Sequence, residues 1–511
     1  GINLLATCNQ KADDNELSIQ CFQKMSELQP TNASIYINLG IARKKQGNIK
    51  TAIAEFQKAV ALQPENVEAH NQLGKALRDS GQIQDAITAF RTALTIKVDY
   101  PDPYYNLGTL FRKKGELDKA ISYYKKALQY RPSYQAAQID LGLALHENGN
   151  LNEAMNFYKE VLTFEPNNTI IHSNMGNLQK AQGNLTKAVE SYQEALITDP
   201  NNVDAYNNMG VIFREQGQPD KALLTYNKAL KIKPDNSEIL YNYGLVLKDL
   251  DRLTDAIGAF SKSGSEKSQI ALLKCLYQQN EPKEFFNQLD FLINQGHNNA
   301  VIGSYISRAQ IKFNQKRSNP FCNEPLKYVS HTNLMTRCNF EKIFIKNATQ
   351  VLSGNLVQSR AQKLITNGVQ TTGNIFDQLT AGTREIQKVL RAEINNYIIQ
   401  HKDSSEGLIK KWPNDYYIDG WLVSMKSGGR IAPHIHDNGW LSGSVYINVP
   451  PNLKKNAGNL VVCLNDEENS QSINVMTGSL CLFPSSLLHY TIPFIDDENR
   501  IVLAFDVIPK L

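Results

Sequence analysis

The sequence predicts a multidomain chain: an all-α solenoid of helical repeats, then a mainly-β double-stranded β-helix (jelly roll) domain with flanking helices. Three observations carry this expectation. Glycine returns every 34 residues through the first half of the chain. Beyond Lys411, short β-rich segments alternate with Gly, Asn and Pro. And 511 residues are too many for one ordinary core.

The repeat is explicit. Gly40, Gly74, Gly108, Gly142, Gly176, Gly210 and Gly244 keep the step, as do Ala52, Ala86, Ala120, Ala154, Ala188, Ala222 and Ala256. Phe56, Phe90, Tyr124, Tyr158, Tyr192, Tyr226 and Phe260 follow each alanine by four. Proline closes most units, and at the one gap, Val98, Pro101 and Pro103 supply the break. Small residues let two helix backbones approach, aromatics fill the contact, and proline cannot continue a helix. This pattern resembles the tetratricopeptide repeat, with seven copies over residues 31–266. Residues 1–30 read as a degenerate N-terminal repeat. Residues 267–315 read as a helical cap and linker, with helices over 268–279, 282–294 and 299–313. The remaining domain is expected over 316–511.

Each first helix buries one side, set by residues such as Tyr36, Leu39 and Gly40, so its flanks can be followed at the same step. One flank is an amide ladder: Asn38, Gln72, Asn106, Asp140, Asn174, Asn208 and Asn242. The other is basic: Lys44, Arg78, Arg112, His146, Lys180, Arg214 and Lys248. Amides both donate and accept, which suits an extended peptide backbone of any sequence, and the cations would favour an acidic ligand. The amide ladder is similar to that of the repeat superhelix in O-linked N-acetylglucosamine transferase, where it holds substrate peptides. The plainer reading is repeat consensus and a solvated charged face.

In the second domain, residues 339–345 are expected to form a first strand and 383–401 a helix with Ile386, Val389, Leu390, Ile394 and Tyr397 on its apolar side. Strands are expected over 415–425, 442–449, 458–464, 478–483 and 500–508.

Between the first two of these lies Pro433-His434-Ile435-His436-Asp437. On a strand, His434 and His436 would point to one side, as two metal ligands should. The chain has only nine histidines, and a third of interest, His489, follows in the C-terminal region. The run from Met425 to His436, Leu441–Tyr446, Gly478–Pro484 with His489, and Arg500–Phe505 together resemble the iron(II)- and 2-oxoglutarate-dependent oxygenases. More narrowly, they are similar to the bacterial and phage branch often attached to tetratricopeptide repeats. The resemblance implies a metal held by His434, His436 and His489, and an arginine, Arg500, gripping the 2-oxoglutarate carboxylate, helped by Tyr446 and Asn448. These two are expected on one strand face with Ser442 and Ser444. Two departures stand out. His436 occupies the slot where the superfamily carries a carboxylate, leaving one negative charge fewer, and Asp437 faces away on a strand. Met425 stands where prolyl-hydroxylase-like relatives carry a tyrosine. Imidazoles ligate when neutral, so binding is expected to weaken below about pH 6.5.

A net charge of +4 is small for this length and gives no sign of nucleic-acid binding. No apolar run approaches the roughly 20 residues a membrane helix needs, and the opening Gly-Ile-Asn-Leu-Leu-Ala-Thr-Cys is too short and uncharged for a signal peptide. Seven scattered cysteines without a Cys-x-x-Cys pair fit a cytoplasmic protein with reduced thiols. The leading functional expectation is an Fe(II)- and 2-oxoglutarate-dependent dioxygenase (hydroxylase) of a protein or peptide held in the repeat groove. The alternatives are a three-histidine dioxygenase that needs no 2-oxoglutarate, and a non-catalytic interaction scaffold with a degenerate jelly roll.

Overall fold

The computed structural model describes residues 15–353, 359–360, 364–377, 380–451, 453–465 and 469–510. Residues 1–14, the front of the expected degenerate repeat, lie outside that set. The chain divides into two compact units, Gly1–Arg252 and Leu253–Leu511.

The first unit is helical throughout its described residues, from Asn15–Leu28 to Ser237–Asp249. Asparagine starts most of the first helices: the Asn66 side chain accepts from the Ala69 N–H at 2.9 Å, and Asn32, Asn168, Asn202 and Asn236 cap in the same way. Where Tyr100 takes the cap position no side-chain bond forms, and Pro101 opens the helix instead; its missing N–H is not needed in the first turn. The glycine period is a packing requirement. A Cβ on Gly74 would sit 2.6 Å from Phe90 Cε1, and one on Gly142 would sit 2.1 Å from Tyr158 Cε1. The aromatics pressed against these backbones are fully buried.

The second unit begins with helices Leu253–Ser263, Glu266–Gln279, Pro282–Asn294 and Ala300–Lys312. The polar run after them is an ordered crossing segment. Asn319 is buried and donates to the Gly303 carbonyl at 2.8 Å, and Phe321 meets Trp440 edge-on at 5.1 Å. Residues 339–345 form no strand. Asn339 accepts from the Lys342 N–H at 3.1 Å, opening a wide helical turn over Glu341–Ile345 that continues into Lys346–Ser353. Phe340, Phe344 and Ala348 recur every four residues and are all buried, a helical spacing that outweighs the β-propensity of the intervening isoleucines. The helix expected over 383–401 is Ala381–Gln400, started by Thr380 accepting from the Thr383 N–H.

Among the described residues ten strands follow one another: β1 Ser330–Asn333, β2 Ser359–Arg360, β3 Ile365–Thr371, β4 Tyr416–Ile431, β5 Leu441–Asn448, β6 Leu460–Cys463, β7 Ser470–Ile473, β8 Ser479–Pro484, β9 Leu488–Thr491 and β10 Arg500–Pro509. They form two antiparallel sheets, ordered β1-β8-β5-β10-β4-β3-β2 and β7-β6-β9. Tyr446, Cys481, Phe483 and Val502 of the larger sheet share a core with Leu460, Val462 and Ile473 of the smaller. The result is a β-sandwich rather than a closed barrel. Among the described residues no helix is long and apolar enough to cross a membrane.

Candidate metal centre

β4 ends at Ile431, whose N–H donates to Thr491 Oγ1 at 2.8 Å, and the chain then runs beside β9. His434 and His489 exchange two backbone hydrogen bonds, of 3.2 and 3.0 Å. His434 is thus pinned to β9 by a single bridge, and neither it nor His436 lies on a regular strand. The two rings still converge. The ligand atoms of His434, His436 and His489 all lie within 4.8 Å of one another, and the three ring centroids are 4.2 to 5.0 Å apart.

The outward nitrogens explain the orientation. His434 Nδ1 lies 2.9 Å from the Ala432 carbonyl oxygen, His489 Nδ1 lies 3.4 Å from that of Leu487, and His436 Nδ1 lies 2.6 Å from Asp506 Oδ1. A ring that donates through Nδ1 presents a bare Nε2 lone pair on its other side. The Nε2 atoms of His434 and His436 are 3.1 Å apart, close enough for both to reach one ion. Burial and the neighbouring His436 pull the His434 pKa down to about 4, and burial holds His489 well below its ordinary value. Both stay neutral at physiological pH, as ligation requires, and for these two rings the onset of proton competition moves below the expected 6.5. The donor set fits a divalent non-haem metal such as iron.

A cavity of ≈ 320 Å³ opens onto all three histidines. Trp421, Met425, Tyr446, Val502 and Gln370 are among its walls, and Trp421 stands 5.4 Å from the His436 ring. Arg500 of β10 pairs with Met425 of β4, and its guanidinium carbon is 5.0 Å from the centre of the Tyr446 ring; Met425 and Tyr446 both line the cavity. Arg500 is 0% exposed, and among the described residues none of its three guanidinium nitrogens makes a hydrogen bond of good geometry, the Tyr446 side chain being the neighbour that supports its charge. Burial pulls its pKa down, yet a guanidinium remains charged.

Asn448 does not share a face with Tyr446. Tyr446 pairs with Val502 and Asn448 with Ile501, neighbours on β10 that point to opposite sides, because the register shifts between them. The Asn448 amide donates instead to the Asn499 carbonyl at 2.7 Å. Ser444 and Tyr446 line the cavity, while Ser442 bonds Asp506 and Ser485. Two partners were missed in the sequence. Asp506 had a signal: at period two it falls on the face of β10 shared by Arg500. Lys274, from Glu266–Gln279, had none; it pairs with Asp437, a carboxylate that does not join the cluster of the three imidazoles.

In the repeats, several members of both ladders bond across neighbouring units. Asn106 donates to Asn71 at 3.1 Å and accepts from Arg78 at 3.2 Å; Asn208 donates to Asn177, and Asn242 to Asn207. Gln72 donates to Glu68. Asn38 and Asn174 are half-buried, the latter with a buried amide nitrogen lacking a partner. Among the cations, Lys44 and Arg78 both pair with Asp79, Arg112 with Asp140 and Glu147, and Arg214 with Asp249. Lys180 and Lys248 are half-buried.

Residues 419–506 match the family model described as "Putative 2OG-Fe(II) oxygenase". Tetratricopeptide repeat models match residues 42–77, 74–111, 111–178, 170–235 and 225–258. No curated protein matches this chain. Similar solved structures include a tetratricopeptide repeat protein from Parabacteroides merdae, at 17% identity and TM-score 0.38, covering 48% of this chain and 98% of that one. A second is the C-terminal part of a repeat protein from Cytophaga hutchinsonii, at 19% and 0.39, covering 46% and 98%. A third is YrrB, described as a repeat protein with an unusual peptide-binding site, at 23% and 0.28, covering 43% and 95%.

Proposed function

We propose that this chain, a tetratricopeptide repeat array joined to a domain of the 2OG-Fe(II) oxygenase type, is an Fe(II)- and 2-oxoglutarate-dependent hydroxylase of a protein or peptide substrate. The observation that carries the reading is Arg500. A fully buried, unpaired guanidinium costs several kcal/mol, and a carboxylate in the cavity beside it would relieve that cost through the paired donors arginine presents. The three imidazoles converging on the same cavity are the second support. A metal site that needed no 2-oxoglutarate would have no use for such a cation, which favours this reading over a cosubstrate-independent three-histidine dioxygenase.

Each residue then has a task. His434, His436 and His489 would hold Fe(II) through Nε2, and Arg500 would hold the distal carboxylate of 2-oxoglutarate, with the Tyr446 ring stacked against it. With dioxygen as the oxidant, the two cofactors bound there would supply hydroxylation of a C–H bond, one oxygen atom going to the product and the other to succinate as carbon dioxide leaves. Val423, Ile431, Leu460 and Phe483, in the cavity wall, keep bulk water from the reacting centre. The repeats would gather the substrate, raising its effective concentration through the covalent link. Since most of the basic row is already neutralised by aspartate and glutamate, the partner is selected by its backbone more than by acidity. A reducing cytoplasm, where Fe(II) persists, is the setting that fits.

Succinate formation with Fe(II) and 2-oxoglutarate, measured without substrate, tests the reading. Turnover lost in both His489→Ala and Arg500→Ala is expected. Turnover unchanged by Arg500→Ala, or iron that never binds the wild-type chain, would sink it.

A further inference from the structure

The ligand set of three imidazoles lacks the negative charge that a carboxylate would bring to the metal, and the structure holds that charge one shell further out. Asp506 Oδ1 lies 2.6 Å from His436 Nδ1, and the Ser442 hydroxyl donates to the same oxygen at 2.7 Å. Ser485 Oγ stands 2.8 Å behind Ser442 Oγ, so the acceptor is fixed in place. The Asp506 side chain is only 8% exposed. Among the described residues no lysine or arginine pairs with it; its one ion-pair partner is His436. A buried carboxylate without a lysine or arginine beside it is costly, and a cation bound at Nε2 of His436 would compensate it through the ring.

The other two imidazoles are held by main-chain carbonyls, of Ala432 and Leu487. Only the ring at the sequence position where a ligating carboxylate was expected is backed by one. We infer that Asp506 is a positioning residue for His436: it fixes the Nε2-bare tautomer and lends the ring the anionic character that the metal would otherwise draw from a direct carboxylate ligand. This rests on the metal reading above. The chemistry is that of a carboxylate–imidazole–metal relay, in which the outer partner raises the basicity of the ligand. Ser442 serves by aiming the carboxylate and contributes no charge.

Titration of the metal-free full-length chain with Co(II) alone, followed by its visible d–d absorption, tests this without turnover. Wild type is expected to bind, and His434→Ala to abolish binding. Asp506→Asn keeps an oxygen facing Nδ1 but removes the charge, and is expected to bind about 10- to 100-fold more weakly, with circular dichroism reporting that it is folded. Ser442→Ala keeps the charge and is expected to stay close to wild type. Equal affinity in wild type and folded Asp506→Asn would overturn the inference while leaving the metal site standing; so would equal losses in Asp506→Asn and Ser442→Ala, which would mark a purely structural network. Absence of Co(II) binding in wild type would remove the site and the inference together. Should Asp506→Asn fail to fold, ¹⁵N spectra of histidine-labelled wild type decide: a His436 proton on Nδ1 supports the relay, and one on Nε2 overturns it.

Discussion

Arg500 and Tyr446 meet on adjacent strands with the guanidinium carbon 5.0 Å from the ring centre, and this ring compensates part of the buried charge. A cation over an aromatic face gains about 0.5–2 kcal/mol, less than the several kcal/mol needed to offset burial of the charge. Burial of this charge therefore costs more than the ring returns.

That imbalance gives the first prediction. Arg500→Met, which fills similar space without charge, is expected to stabilise the ligand-free chain by about 1–4 kcal/mol while abolishing 2-oxoglutarate binding. Urea unfolding and calorimetry measure the two effects. Arg500→Lys keeps a charge but not the two-pronged geometry, so it is expected to bind weakly and recover little turnover.

A second prediction concerns pH. His434 and His489 are neutral when folded, the first with a pKa near 4, whereas an unfolded histidine titrates near 6.5. The unfolded chain binds more protons in this window, so stability is fully present above about pH 6.5 and is lost as the pH falls towards about 4. The His434 share is about 3 kcal/mol. The urea midpoint of metal-free wild type should fall further than that of His434→Asn as the pH drops; parallel curves would contradict the assignment.

The glycine period makes a third. Gly74→Ala and Gly142→Ala would each drive a methyl into the ring of Phe90 or Tyr158, and each is expected to cost about 1–3 kcal/mol. Gly258, in helix Leu253–Ser263, has open space around its missing Cβ. Gly258→Ala should therefore stabilise by roughly 0.5–1 kcal/mol. Thermal melts of the three variants compare the two environments.

The fourth separates architecture from recognition in the amide ladder. Asn106 is buried and bonded to both Asn71 and Arg78, so Asn106→Ala should cost about 1–3 kcal/mol. Asn38 is half-buried near the start of the array, and Asn38→Ala should change stability by no more than about 0.5 kcal/mol. Peptide affinity that falls in Asn38→Ala without loss of stability would mark a binding contact.

Much of this protein was written in local spacing. A 34-residue step names a packing contact at each unit, because a glycine and an aromatic 16 residues apart meet across one helical hairpin, and the alternation of β10 already sets Asp506 on the face of Arg500. The identity of the three histidines was equally plain. Where spacing competed with propensity, as in residues 339–345, the buried Phe340 and Phe344 made a helix out of what read as a strand.

The sequence by itself determined the repeat array, the β-rich C-terminal domain and the histidines and arginine of the candidate site, since each follows from periodicity or from residue chemistry. Tertiary structure alone decided which way those groups face. His434 is aimed by backbone bonds to His489, a partner 55 residues away; a register shift sends Asn448 off the Tyr446 face; and Asp506, rather than the adjacent Asp437, backs His436. Strand register and long-range pairing are set by the whole packed sheet, so no local pattern could encode them.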